Sequence, residues 1–145
     1  MTDVFIASDN IITSLGFTTG ENAVNMLADK TGIQLTEDER IAPLPFYASL
    51  VDSSTLHDRF SSEDDPEKFT RFEQLSICSI MDALTKSDIS FTDSKTLFIL
   101  STTKGNIDLL EKGNDLKFGK ERIYLWNTAQ LLQRYFKFRN EPVVV

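Results

Sequence analysis

The chain has 145 residues, of which 41% are hydrophobic: enough for one domain of ordinary size, and too apolar for a disordered segment. Its 22 acidic and 15 basic side chains leave a formal net charge of -7, which argues against a nucleic-acid binder and against docking on an anionic membrane. The single cysteine, Cys78, rules out an intrachain disulfide framework and a multi-cysteine metal site. The start, Met1-Thr2-Asp3-Val4, lacks the basic and apolar regions of a signal peptide, and no apolar run is long enough for a bilayer, so the expected compartment is the cytoplasm.

Val4, Phe5 and Ile6 read as a short buried strand, continued by Ile11 and Ile12 after the turn-rich Ser8-Asp9-Asn10. Thr18 and Glu21 have capping-box spacing and start a helix with Ala23, Val24, Leu27 and Ala28 on one side, ending near Gly32. Residues 34–40 are polar and read as an exposed loop, residues 46–51 as a strand or edge segment, and residues 53–65 as a long surface excursion. Asp65 and Pro66 suit the start of the clearest helix. Its stripe of Phe69, Phe72, Ile77, Ile80, Met81 and Leu84, flanked by Leu75 and Cys78, runs to about Ser87-Asp88.

Residues 96–101 form a continuous apolar run after a helix, the pattern of a parallel strand covered on both faces. A turn at 102–105, a short helix at 107–112 ending at Gly113, and a loop at 114–119 follow. The next helix starts at Asn127 or Thr128, both N-cap types, and runs to about Lys137 with Ala129, Leu132 and Phe136 inward. Pro142 then opens a strand of three valines, 143–145. A packed strand there, where a frayed polar tail is usual, leads to the expectation that residues 1–145 are a single domain belonging to a longer protein. Strands alternating with helices give an α/β fold with a mainly parallel sheet and helices packed on it.

Few residues could carry chemistry. Thr102-Thr103-Lys104-Gly105-Asn106 sits at the end of a buried strand, where open α/β sheets bind ligands, but with one glycine it reads as a strand-to-helix turn rather than a phosphate loop. Cys78 lies within an apolar helix stripe, where a thiol is inert. His57, the only histidine, sits in a polar stretch beside Asp58 and supports neither a metal site nor a Ser–His–Asp arrangement. Glu63-Asp64-Asp65 reads as capping and solvated loop rather than a cation site, and Arg134, Lys137 and Arg139 as complements to a helix dipole. No catalytic, cofactor-binding or metal-ligating residue is assigned.

The order of the segments carries more. Residues 4–16, from Val4-Phe5-Ile6 to Ser14-Leu15-Gly16, resemble the opening of β-ketoacyl-acyl-carrier-protein synthases, in which a first strand runs to a Pro-Leu-Gly or Ser-Leu-Gly turn, followed by a helix and a Ser/Thr-Gly-Ile, here Thr31-Gly32-Ile33. The stretch from Arg71-Phe72-Glu73 to Ala83-Leu84 is similar to the family's Arg-containing helix. Residues 97–105 are similar to its next strand and Thr- and Gly-containing turn, and Glu141-Pro142-Val143-Val144-Val145 to the strand leading to its nucleophile elbow. The middle region, 34–65, is short and divergent, and Lys104 stands where the family often has a small residue.

The resemblance implies a layered thiolase-like fold of two similar α/β halves, with this chain as most of the first. It implies a 3-oxoacyl-[acyl-carrier-protein] synthase of fatty-acid or related lipid synthesis. Such a synthase loads an acyl group on a cysteine as a thioester, decarboxylates a malonyl group, and joins the two. It needs no cofactor. The implied partners are acyl carrier protein and a second subunit, in a homo- or heterodimer. The nucleophile is expected beyond residue 145, Cys78 does not match its position, and the chain alone is expected to be inactive. Two alternatives stay open: a non-catalytic subunit like the chain-length factors, and a free-standing α/β interaction module.

Overall fold

The computed structural model describes residues 3–111 and 115–145. The expected end of a helix at Lys112-Gly113, and the start of the following loop at Asn114, lie outside these residues. Helix α1 spans Thr19–Leu27, β1 Ile33–Thr36, β2 Phe46–Ser49, α2 Ser53–Ser61, α3 Arg71–Leu84, β3 Ile99–Leu100, α4 Asp115–Phe118, α5 Leu125–Phe136 and β4 Val143–Val144. Short 3-10 turns occupy Pro66–Lys68, Ile107–Leu110 and Lys120–Ile123. The strands make two separate pairs: β1 with β2, antiparallel, and β3 with β4, parallel. The chain is thus a small α/β protein in which, among the described residues, the parallel pairing joins the two strands nearest its C-terminal end.

The core forms where α2, α3 and α5 meet. Phe60, Phe69, Ile77 and Leu132 are buried together, with Met81, Phe98, Leu131, Tyr135 and Phe136 packed around them. The abundant phenylalanines serve this packing. Phe60 and Tyr135 both meet the Phe69 ring edge-on, at 5.2 and 5.6 Å, and Phe98 stacks on Phe138 at 4.7 Å. Each fully buried ring or branched chain contributes about 1.5–3 kcal/mol.

Several expectations are corrected. Residues 53–65 are not a surface excursion. Asp52 caps α2 by accepting from the Thr55 N–H, and Leu56 and Phe60, four residues apart, turn inward. Residues 34–40 are not all loop: Ile33, Gln34, Leu35 and Thr36 alternate and pair with β2. Asp65 and Pro66 start only a 3-10 turn. Helix α3 begins five residues later, where Thr70 and Glu73 form a second capping box beside the expected one at Thr18 and Glu21. Helix α1 ends at Leu27 with Asp29 in the left-handed region, so Gly32 is not its cap. Gly32 instead packs closely on Ser14: a Cβ there would lie 1.9 Å from Ser14 Oγ, and that hydroxyl would have to turn away. Within the stretch expected as loop at 114–119, residues 115–118 are helical.

The largest correction concerns exposure. Val4, Phe5 and Ile6 form no strand and stand 93%, 84% and 90% exposed. The chain becomes anchored only after them: Ser8 Oγ donates to the Ala83 carbonyl at the end of α3 (2.7 Å), and Asn10 Nδ2 donates to the Phe17 carbonyl and Ser79 Oγ. The expected apolar side of α1 also faces solvent at Val24 and Leu27. Residues 96–101 are covered on one face, not two. Phe98 and Leu100 point into the core while Leu97 and Ile99 are exposed. No helix among the described residues is long and apolar enough to cross a membrane.

Candidate functional site

A buried polar network lies behind the turn that leaves β3. Leu100 ends the strand, and Thr102 Oγ1 accepts from the N–H groups of Lys104 and Gly105, at 3.3 Å each. Gly105 takes φ +54°, a left-handed conformation that favours glycine, and a Cβ on it would meet Leu125 Cδ2 at 2.4 Å and push that side chain aside. The chain then delivers Asn106 into the interior, fully buried.

Asn106 closes a knot built from four parts of the sequence. Its Nδ2 group donates to the Arg122 carbonyl (2.8 Å), Thr128 Oγ1 (3.2 Å) and Glu73 Oε1 (3.3 Å), and its Oδ1 accepts from Thr70 Oγ1 (2.5 Å). Glu73 is fully buried in the first turn of α3. One oxygen accepts from Arg122 Nε (2.9 Å) and Asn106. The other accepts from the Thr70 N–H (2.8 Å) and the second arm of the Arg122 guanidinium. Four donors fill the four lone-pair sites of a carboxylate, and the paired cation makes its burial tolerable. The Glu73 carboxylate therefore has no lone pair left for a substrate. Its effect is positional: it locks the β3 turn, the start of α3, the 120–123 turn and the start of α5 to one another.

The other candidates separate. Cys78 lines a small hollow of about 270 Å³ with Phe17, Arg59, Glu63 and Met81. Burial pushes its thiol up, and the Glu63 charge adds to the effect, so it stays protonated and unreactive at neutral pH. His57 is exposed on α2. Asp65 caps the 66–68 turn through the Glu67 N–H, and Asp64 and Asp65 face Lys68 at 3.6 and 3.8 Å. Arg134, Lys137 and Arg139 are exposed at and beyond the end of α5. Two N–H groups of the 102–105 turn, those of Lys104 and Gly105, are taken by Thr102. No group of three or more His, Cys, Asp or Glu among the described residues could hold a metal ion.

An open cleft of about 1000 Å³ lies between the β1–β2 hairpin and the start of α2 and α3. Two of its charged groups, Arg40 and Asp38, pair with each other, and Arg71 is held by neutral oxygens, donating to the Val51 carbonyl and Ser53 Oγ. The Arg40 guanidinium holds the Asp38 carboxyl down to about 2. Contacts with Thr55, side chain and backbone, hold Asp52 at about 2.

The sequence reading missed the knot. Its one visible signal was the second capping-box pair, Thr70 and Glu73; the partners lie 33 to 49 residues further along the chain. No protein-family model matches the chain, and no curated protein matches it in sequence.

Proposed function

We propose that this chain is the N-terminal part of a β-ketoacyl-acyl-carrier-protein synthase-like protein with a layered thiolase-like fold. In that reading it is the scaffold half of a cytoplasmic acyltransferase that works with acyl carrier protein as a homo- or heterodimer. The residues that do the chemistry lie outside it. The observation that carries the reading is the parallel pairing of β3 with β4, which puts the Thr102–Gly105 turn and the end of the valine strand at the same edge of one sheet. Ligands of open α/β sheets bind at that edge. A nucleophile following β4 would start its helix beside a turn that Asn106 and the buried Glu73–Arg122 pair hold rigid, and a helix N-terminus lowers a cysteine pKa. The exposed Val4-Phe5-Ile6 run is further support, since it is strand-forming sequence without a sheet to join.

The coding sequence after Val145 tests this. A cysteine shortly after β4 is the expected result. Glutamine or another residue there would favour a non-catalytic subunit paired with an active synthase. A stop codon, together with a stable monomer that binds no hydrophobic dye, would favour a free-standing interaction module and remove the synthase reading.

A further inference from the structure

The β1–β2 hairpin stands away from the rest of the molecule. None of residues 33–50 is buried, and Ile33, Leu35 and Tyr47 on its outer row are half exposed or more. The register of Ile33–Thr36 against Phe46–Ser49 holds the two strands to each other. The side-chain tie to the body is an exposed hydrogen bond between Ser49 Oγ and Ser14 Oγ (2.6 Å). A two-stranded hairpin with no buried face is marginal by itself, and such units move while a packed core stays still.

Both ends of the hairpin are anchored. Gly32 packs on Ser14 before β1. After β2, Arg71 at the start of α3 donates to the Val51 carbonyl (2.5 Å) and to Ser53 Oγ (2.7 Å). Residues 33–50 are what is left free between these anchors, and they move as one piece because the strands stay paired.

The walls of the cleft beneath the hairpin are matched to each other. On the hairpin side Gln34, Thr36 and Ala48 line it, all from one face of the strand pair, and the connection between the strands adds Asp38 and Arg40. The body side has Asp52, Ser53 and Arg71, with Glu111. Both walls are polar and both carry both signs of charge. In the open form each wall is satisfied locally: Arg40 pairs with Asp38, Asp52 accepts from the Thr55 N–H and Ser54 Oγ, and Arg71 is held by neutral oxygens. Its two bonds leave further N–H groups on the Arg71 guanidinium without a carboxylate.

We propose that the β1–β2 hairpin is a flap that closes over this cleft, Asp38 reaching Arg71 and Arg40 reaching the Asp52 and Glu111 side. Closure replaces one exposed ion pair by pairs made across a narrowed, less hydrated gap, where opposite charges attract more strongly. The outer row of Ile33, Leu35 and Tyr47 stays in water in both forms. The proposal does not draw on acyl chemistry or on polypeptide outside the chain.

The test is double electron–electron resonance on the 145-residue chain. Cys78→Ser removes the native thiol, and nitroxides are attached through Leu44→Cys in the hairpin connection and His57→Cys on α2, both exposed positions. Two distance populations are expected. The shorter should fall by about half or more between about 0.1 and 1 M sodium chloride, as the screening length drops from about 10 to about 3 Å. It should be lost in Asp38→Asn, which keeps the shape of the side chain without its charge. Glu37→Gln, a neighbouring charge that does not line the cleft, should leave both populations in place. A single population, or two that salt and Asp38→Asn leave unchanged, would overturn the proposal. Loss of the short population in Glu37→Gln as well would overturn the role given to Asp38.

Discussion

Glu73 is the residue through which α3 holds its neighbours. Its carboxylate is wholly buried, so its value depends on four donors arriving together. Arg122→Met leaves that charge inside the protein without its cation, and the expected loss is about 3–5 kcal/mol of unfolding free energy by denaturant titration. Glu73→Gln is expected to cost about 2 kcal/mol or more, because an amide turns an N–H toward groups that are already donors. Glu73→Leu combined with Arg122→Met removes both charges and should recover part of the loss. Strict additivity of Glu73→Leu alone and Arg122→Met alone in that double variant would show that the pair is not coupled. None of this was readable in the sequence beyond Thr70 and Glu73, because a buried ion pair spanning 49 residues leaves no local pattern. The same blindness explains Asn127 and Thr128. Both looked like N-caps, yet α5 starts at Leu125, Asn127 bonds the Glu121 carbonyl at 2.6 Å, and Thr128 is buried in the knot.

Among the elements, legibility followed local chemistry. The capping box at Thr18, the strand at 46–49 and the inner face of α5 all follow from neighbouring residues, and all are present. Helix α2 was hidden because Ser, Thr, Asp and His surround its two apolar positions, Leu56 and Phe60, and so few are easily taken for loop. Its cap gives a pH test. In the folded chain Thr55 and Ser54 hold the Asp52 carboxyl at about 2, below its ordinary value of 3.8. A depressed carboxylate stabilises the fold above its unfolded pKa, and that contribution fades as pH falls from about 4 through about 2. Carbon-detected NMR titration of Asp52 should give a midpoint near 2. An ordinary carboxylate midpoint would mean that the cap is not formed in solution. Asp52→Asn keeps an acceptor for the Thr55 N–H and should remove this component of the acid sensitivity while α2 persists.

At the scale of the molecule, the alternation of strands and helices gave the α/β class, and the run at 96–101 asked for burial on both faces. Only one face received it. A sequence patterned for the interior meets a structure that leaves Val4, Phe5, Ile6, Leu97, Ile99 and Val145 in water. The candidate site followed suit, since the described residues offer a rigid edge and a paired, saturated polar knot but no reactive group on that edge. The central claim is that this scaffold positions a nucleophile that follows β4. The direct measurement is the intact mass of the protein, with its encoded continuation in place, after incubation with an acyl-carrier-protein thioester. The account predicts the gain of one acyl group, mapped to a cysteine after residue 145 and lost when that cysteine is changed to alanine, with Cys78 unmodified. An unchanged mass, or an acyl group on Cys78, would contradict it.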